Sequence, residues 1–200
     1  MTTFPAYATN FELHPKEGEA ARHLGALLAG LGRVNFTFTV ADASVNQGQT
    51  ACDLDCALVK ALCGRGAETI HLPLPPYVSQ ELDFAFKFNE HSVAVEIEKA
   101  NREKILRDIL KCHIYLHAGA DFAVIVLPRN YSHKHGVWNL FGFGIERYDE
   151  CRKYGFGTAE KFGRIMLLGF NQHEATTNRL ITKAIREEMR VKAAAPMMAT

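Results

Sequence analysis

The chain has 200 residues, is 48% hydrophobic and carries a formal net charge of +1, which fits one globular domain spanning residues 1–200 and gives no overall attraction to phosphates. Its five cysteines form no CxxC pair, so the pattern excludes a disulfide framework and predicts a reducing, cytoplasmic setting. The N-terminus does not resemble a secretory signal, and no stretch approaches the ~18 apolar residues of a membrane span, so we expect a soluble protein.

The first third of the chain is predicted to contain two helices and a strand. Apolar residues at helical spacing predict a helix over residues 15–31, ended by Gly32. The alternating segment VNFTFTV predicts a strand over residues 34–40, and a second helix is expected over residues 53–63. Helices and strands therefore alternate from the start, as in an α/β domain.

A β-hairpin is predicted next. The segments LDFAFKF (82–88) and VAVEIE (93–98) both alternate between apolar and polar residues, and the polar tetrapeptide 89–92 is expected to connect them. Closing the hairpin over this loop pairs Phe88 with Val93, and continuing the register sets Phe84 opposite Ile97.

Three acidic side chains share one face of this predicted hairpin. The register places Asp83 directly opposite Glu98 and diagonal to Glu96, with the aromatic residues on the other face. Like charges placed opposite each other destabilise a sheet, so the cluster requires protonation, a cationic neighbour or a bound metal ion. The alternative is an ordinary solvated hairpin face on which Lys87 forms a diagonal ion pair.

The hairpin is followed by a predicted helix and a buried strand. Residues 101–117 have helical spacing, and FAVIVL (122–127) reads as a strand buried on both faces, so a right-handed βαβ crossover and a mixed sheet are expected. Further downstream we expect a helix over 144–154, a strand over 164–170 and an amphipathic helix over 177–192. The small-residue tail 193–200 is expected to be disordered.

An all-carboxylate site predicts a particular chemistry. Oxygen ligands favour Mg²⁺ or Mn²⁺ over zinc. Such an ion polarises a phosphodiester and lowers the pKa of a bound water, which yields a hydroxide nucleophile near neutral pH. The cluster is therefore compatible with metal-assisted hydrolysis.

Residues 80–130 resemble the core of the PD-(D/E)XK nuclease superfamily, in which an Asp and a D/E-x-K pair lie on a hairpin followed by a helix and a strand. Asp83 matches the first acid, Glu96 the second and Glu98 the third position. The resemblance implies a restriction-endonuclease-like α/β fold, with a mixed central sheet flanked by helices. It also implies a Mg²⁺-dependent (or Mn²⁺-dependent) endodeoxyribonuclease in which Asp83 and Glu96 bind the metal.

The third position departs from the commonest pattern, because it holds Glu98 and not lysine. A carboxylate there is similar to the BamHI and BglII group of type II restriction endonucleases, where Glu or Gln stands at this position. Lys99 follows directly, and a one-residue bulge would present it as the usual lysine. The resemblance therefore leaves both Glu98 and Lys99 as candidate catalytic residues.

The charge of the chain is unevenly distributed. Residues 1–98 carry six Lys or Arg and twelve Asp or Glu, a net −6, whereas residues 99–200 carry seventeen and ten, a net +7. A basic second half beside an acidic hairpin fits binding to double-stranded DNA, and chance unevenness on a solvated surface explains it equally well. The candidate phosphate-binding residues are Lys104, Lys111, Arg129 and Lys134. For Lys104 and Lys111, the alternatives are orientation of the metal site and ion pairs with Glu103 or Asp108.

Three functions remain open from the sequence. The first is a homodimeric, restriction-like DNA endonuclease, as the resemblance implies. The second is a non-catalytic DNA-binding or accessory protein with a nuclease-like fold, and the third is a DNA-repair or junction-resolving nuclease. The absence of GxxxxGK[ST], GxGxxG, HExxH and GxSxG motifs removes the usual support for nucleotide hydrolases, dehydrogenases, zincins and α/β-hydrolases.

Overall fold

A computed structural model describes residues 2–40, 50–76, 81–99, 101–133 and 136–174 of the chain. The strands are β1 (Thr2–His14), β2 (Val34–Val40), β3 (Thr50–Cys52), β4 (Glu68–Ile70), β5 (Phe84–Phe88), β6 (His91–Ile97), β7 (Phe122–Pro128), β8 (Tyr131–His133), β9 (Gly136–Trp138) and β10 (Ile165–Glu174). The helices are α1 (Glu19–Ala29), α2 (Leu54–Cys63), α3 (Lys104–His117), α4 (Leu140–Lys153) and α5 (Ala159–Phe162).

Eight of the described strands form one mixed sheet in the order β3-β2-β1-β10-β7-β6-β5-β4. β10, β7 and β6 run parallel to one another, and all other neighbours in this sheet are antiparallel. β7 and residues 165–170 of β10 read as nearly continuous apolar runs because both of their faces are covered. The predicted mixed sheet of an α/β domain is confirmed.

Helices cover both faces of the sheet. On one face, α1 and α2 bury a large apolar cluster that includes Leu24, Leu58, Phe86 and Val95. On the other face, α3 and α4 pack on β7 and β10 through a second cluster that includes Ile109, Ile125 and Phe141. A strand at the centre of the sheet is therefore enclosed by two separate cores.

The crossover from β6 through α3 to β7 is present as predicted. β6 and β7 are parallel neighbours, with Val95 beside Val124 and Ile97 beside Val126. α3 has a strongly amphipathic sequence whose apolar stripe, which includes Ile105 and Ile109, faces the sheet. This unit positions one face of α3 against the polar face of the β5–β6 hairpin.

The register of the hairpin differs from the prediction by two residues. Its turn consists of Asn89 and Glu90 alone, both with positive φ, as in the two-residue turns that match the natural twist of a hairpin. Phe86 therefore pairs with Val93, and Phe84 with Val95. The predicted four-residue loop and its pairing were wrong, but a two-residue shift keeps every side chain on its predicted face.

Most other elements agree with the predictions within a few residues. The helices predicted over 15–31, 53–63 and 144–154 correspond to α1, α2 and α4, and the strand predicted over 164–170 extends to Glu174 in β10. The long strand β1 was not predicted. The predicted helix 177–192 and the tail 193–200 lie outside the described residues, and none of the described helices is long and apolar enough to cross a bilayer.

Candidate functional site

Glu96 is the centre of a buried polar cluster between the hairpin and α3. Its side chain is only 5% exposed, and each of its two carboxylate oxygens has a partner from α3. Lys111 donates to Oε2, and the Tyr115 hydroxyl donates to Oε1 at 2.5 Å. Lys111 also donates to the backbone carbonyl of Glu81 at 3.2 Å. A buried carboxylate needs such partners, because desolvation of an unpaired charge is costly.

The local sequence places these groups by simple periodicity. Glu96 follows the buried Val95 on β6, so alternation directs it to the face opposite the α1 and α2 layer. Lys111 and Tyr115 are four residues apart on α3 and therefore lie on the same side of the helix. Glu96 of β6 therefore faces Lys111 and Tyr115 of α3 at the edge of the apolar core.

Two further acids lie close to Glu96. Asp108 is one turn before Lys111 on α3, is 2% exposed, and forms an ion pair with Arg107 at 3.8 Å. Glu98 is also buried, and its Oε1 accepts a hydrogen bond from the backbone N–H of Asn101 at 2.8 Å. This bond fixes the chain where it leaves β6 and turns toward α3. The acidic groups therefore come from the strand end and from the helix.

Asp83 directly precedes β5, and its Oδ2 accepts a hydrogen bond from the backbone N–H of Ile97 at 2.6 Å. Extending the observed register by one residue sets Asp83 across from Glu96, and not from Glu98 as predicted. Burial raises the pKa of Glu96, and the negative charge of Asp83 adds to this increase. Asp83 and Glu96 thus share one end of the hairpin on one face.

Burial and mutual repulsion set the protonation of the cluster. Burial raises the pKa of Glu96, although hydrogen bonds from Lys111 and Tyr115 oppose the shift. Burial, together with the charges of Glu96 and Glu98, raises the pKa of Asp108 to about 7. Burial and the bond to Glu96 raise the pKa of Tyr115, so its hydroxyl remains a proton donor. The cluster is a set of acids that repel one another around a single buried lysine.

The donor set matches the predicted cation in its chemistry. The side chains of Asp83, Glu96, Glu98 and Asp108 offer only oxygen ligands, which suit Mg²⁺ or Mn²⁺. Their geometry differs from that of a formed metal site. Within the described ranges, no three His, Cys, Asp or Glu side chains are grouped closely enough to hold a metal ion. In this arrangement both oxygens of Glu96 bind protein donors, so coordination of a cation would require one of them to release its partner.

Lys99 lies away from this cluster. Its Nζ donates to the backbone carbonyl of Cys52 at 3.3 Å. The pairing of β6 with β7 is continuous through Ile97, and the Glu98 N–H still bonds to the carbonyl of Val126, so the bulge that would give Lys99 the third position is absent. Of Glu98 and Lys99, Glu98 is the residue that lies near the other acids. The cation beside Glu96 is Lys111.

The predicted phosphate-binding residues are in different environments. Lys104 is exposed at the start of α3, as a phosphate contact requires. Arg129 is partly exposed and forms an ion pair with Glu12 at 3.0 Å. Lys111 is buried in its ion pair with Glu96, which leaves little room for direct contact with DNA. Lys134 lies outside the described residues.

Two members of the cluster were missed as site residues by the sequence analysis. Asp108 was considered only as a partner for lysine, and Tyr115 was not considered. Both lie beside the apolar stripe of α3, which runs through Ile105, Ile109 and Cys112. The sequence signal for Asp108 and Tyr115 was a polar residue next to the buried apolar stripe of a helix, because a side chain at such a position lies against the edge of the sheet.

In comparisons with known proteins, no family model matches the chain, and no curated protein matches it.

Proposed function

We propose that the chain is a metal-dependent DNA endonuclease with a restriction-endonuclease-like core. The observation that carries the proposal is the burial of Glu96 beside Asp83, Glu98, Asp108 and Lys111, on one face of a hairpin that leads through α3 into a parallel strand. This element order is the one that the resemblance to PD-(D/E)XK nucleases implies. Burial and the charges of neighbouring acids raise the pKa of Glu96 and of Asp108, which favours a cation-binding role over a purely structural one.

The chemistry of the side chains assigns each of these residues a role. Asp83 and Glu96 would hold Mg²⁺ or Mn²⁺, and Glu98 or Asp108 would complete the ligands or accept a proton from the attacking water. The metal would supply Lewis-acid stabilisation of the phosphodiester and a lowered pKa for a bound water. Lys111 would orient Glu96 and offset part of the negative charge of the acids around it.

A nicking assay tests the proposal directly. Purified protein is incubated with supercoiled plasmid in Mg²⁺ or Mn²⁺, with EDTA as the metal-free control. We expect relaxed or linear product that depends on the metal, and a loss of at least about 100-fold in rate for Glu96→Gln and for Asp83→Asn. Glu90→Gln is the matched control, because Glu90 is an exposed acid in the turn of the same hairpin, paired with Lys87 at 2.7 Å. Full metal-dependent cutting by Glu96→Gln would contradict the assignment.

One observation favours a second candidate, a non-catalytic DNA-binding or accessory protein. Lys111 and Tyr115 already satisfy both oxygens of Glu96, as a structural network would. Binding of duplex DNA by the wild-type chain without nicking in either metal would support this candidate. If cutting occurs, discrete fragments from linear duplex indicate restriction, and a preference for branched substrates indicates repair or junction resolution. The double-stranded DNA partner and the homodimer of the first candidate are part of the same proposal.

A further inference from the structure

The segment that joins α4 to α5 exposes two aromatic side chains. Tyr154 is 76% exposed and Phe156 is 42% exposed. Aromatic rings gain much of their interaction energy by burial, so two exposed rings in one short loop are suited to contact with a ligand. Gly155 and Gly157 on either side of Phe156 have φ values of 73° and 91°, a conformation that glycine adopts without strain.

The end of α4 holds the two rings in place. The backbone N–H of Phe156 donates to the carbonyl of Cys151 at 2.9 Å, and the N–H of Tyr154 donates to the carbonyl of Glu150 at 3.0 Å. These bonds close the last turn of the helix, and the left-handed Gly155 completes the cap. Because the backbone is already fixed, the rings lose little conformational freedom when they bind a partner.

Basic residues surround the rings. Residues 151–164 carry four Lys or Arg and one Glu, a net +3, whereas the net charge of the whole chain is +1. Nζ of Lys153 lies 5.3 Å from the centre of the Tyr154 ring. Arg152 and Lys153 also offset the dipole of α4, but this does not account for Lys161, which belongs to α5. Within the ranges that the structure describes, these three cations form no ion pair with an acid.

The cations continue onto the end of α3. Nζ of Lys161 contacts Nε2 of His117, and the ring of His113 meets the ring of Phe156 edge-on, with centroids 6.4 Å apart. Burial, followed by the positive charges of Lys161 and His117, lowers the pKa of His113. Basic groups that converge repel one another, and a bound anion relieves the repulsion. The loop therefore combines exposed rings with a place for negative charge.

We propose that Tyr154 and Phe156, with Lys153, Lys161 and His117, bind single-stranded nucleic acid; these five residues are the α4–α5 surface. Exposed rings stack on unpaired bases, and the cations beside them bind the phosphates. The bases of a duplex are stacked on one another and leave no face for a ring, so an unpaired strand fits this surface better than a duplex does. Two rings separated by a glycine offer little apolar area for insertion into a lipid surface.

The α4–α5 surface is separate from the acidic cluster. Lys111 and Tyr115 extend from α3 to Glu96 of the hairpin, whereas His113 extends from the same helix to Phe162 of α5. A strand on this surface thus lies on the other flank of α3 from the acids. Its binding does not depend on whether the acidic cluster cuts DNA.

Fluorescence anisotropy of a labelled oligothymidylate tests the surface. A strand of about ten nucleotides has the size that one single-strand-binding domain covers. The full chain is titrated in EDTA, which prevents metal-dependent cutting, and we expect a Kd below about 100 µM at low salt. The logarithm of Kd is expected to rise with the logarithm of the salt concentration with a slope of about 2, as the neutralisation of about three phosphates requires. Absence of binding at about 500 µM protein overturns the proposal.

Substitutions locate the binding on the surface. Tyr154→Ala is expected to raise Kd about 5- to 20-fold through the loss of one stacked base, and Lys161→Gln about 3-fold with a shallower salt slope. The urea midpoint of Tyr154→Ala is expected to equal that of the wild type, because this side chain is mostly exposed. Val137→Ala on β9 and Lys60→Gln on α2 are the matched controls, since both side chains are exposed elsewhere, and each is expected to bind as the wild type does. Wild-type affinity of Tyr154→Ala overturns the assignment.

Two further ligands and one further variant separate the alternatives. A duplex of the same length is expected to bind at least about 5-fold more weakly, and equal or tighter binding of the duplex overturns the preference for a single strand. Sedimentation with phosphatidylserine vesicles that Tyr154→Ala abolishes, without binding of oligothymidylate, assigns the surface to lipid and overturns the proposal. Glu96→Gln is expected to bind oligothymidylate as the wild type does. Failure of this surface therefore appears as absent binding in EDTA, and failure of the proposed nuclease as absent nicking in Mg²⁺.

Discussion

Alternate residues of β6 enter two different environments. Val93, Val95 and Ile97 point to the layer of α1 and α2, where they join an apolar cluster. Glu96 points the other way, toward α3, and meets Lys111 and Tyr115. This strand of seven residues therefore contributes apolar side chains to the core on one face and the central carboxylate of a buried polar network on the other.

The two faces contribute to the protein in different ways. Apolar burial stabilises the fold by roughly 25 cal/mol for each Å² removed from water. A buried ion pair gives little net stability, because the desolvation of both charges offsets their attraction. The apolar face therefore accounts for folding, whereas the polar face is better explained by a role for Glu96 and its neighbours. Substitutions on each face test this contrast.

The largest effect is expected when Lys111 is replaced by Met. Glu96 would lose the cation beside it while remaining buried, and breaking a buried pair from one side costs about 4 kcal/mol of unfolding free energy. Urea unfolding at pH 8 measures the loss. The matched control is Lys87→Met, which breaks the exposed pair with Glu90 and is expected to leave the midpoint unchanged.

The double variant Lys111→Met with Glu96→Gln sharpens this result. Removing the charge of Glu96 together with its partner leaves no unpaired ion, so the double variant is expected to be more stable than Lys111→Met alone. If Lys111→Met unfolds at the same urea concentration as Lys87→Met, the polar face does not hold a buried ion pair.

On the apolar face, Phe86→Ala is expected to reduce the unfolding free energy by about 3 kcal/mol, because it leaves a cavity among large side chains. The same unfolding experiment measures it. Phe84→Ala is the control, since Phe84 is two residues earlier on the same face but only partly buried, and a smaller loss is expected. Equal losses for the two variants would show that burial on this face does not determine stability.

Asp108 gives the polar face a pH dependence that the apolar face lacks. Because the folded-state pKa is about 7 and the ordinary value is 3.8, the folded chain keeps this proton where the unfolded chain has lost it. The contribution of Asp108 is therefore fully present below about pH 4 and is lost as the pH rises to about 7. We expect a loss of roughly 3 kcal/mol from this group across that range.

Asp108→Asn removes the titrating group and tests this directly. Unfolding is measured between pH 4 and pH 8 in EDTA. The variant is expected to be more stable than the wild type at pH 8, and the difference is expected to shrink as the pH falls. Parallel stability profiles for the two proteins would contradict the raised pKa of Asp108.

The alternation of VAVEIE was sufficient to assign both faces of β6 from the sequence. The alternation did not determine the register of the hairpin, because the polar residues 89–92 fit either a four-residue loop or two strand ends around a two-residue turn. Only the positive φ of Asn89 and Glu90 distinguishes these two arrangements. β1 was missed because Pro5 is a poor strand residue and because a register shift between Thr9 and Glu12 interrupts its alternation.

The site was predicted in part for a related reason. Asp83, Glu96 and Glu98 follow from the pattern of the hairpin, which is local in the sequence. Asp108 and Tyr115 belong to α3, and their relation to Glu96 depends on how the helix is rotated about its axis above the sheet. That rotation is set by the packing of Ile105 and Ile109 against β7 and α4, which periodicity alone does not determine.

The smallest expected effect is that of removing the Tyr115 hydroxyl. Together with its control, this substitution distinguishes a hydrogen bond to a charged acceptor from one to a neutral acceptor. Tyr115→Phe leaves Oε1 of Glu96 without its donor and is expected to reduce the unfolding free energy by about 1.5 kcal/mol at pH 8. Because the lost bond stabilises the charged form, the pKa of Glu96 rises further, and the loss is expected to diminish as the pH falls and Glu96 binds a proton.

Tyr148→Phe is the matched control for that variant. The Tyr148 hydroxyl is also buried and donates at 2.5 Å, but its acceptor is the neutral backbone carbonyl of Phe162. We expect a loss of about 1 kcal/mol that is the same at pH 5 and pH 8, measured by urea unfolding. If both tyrosine variants have the same pH dependence, Glu96 is not charged in the folded protein, and Lys111 and Tyr115 then bind a neutral acid that is poorly suited to hold a cation.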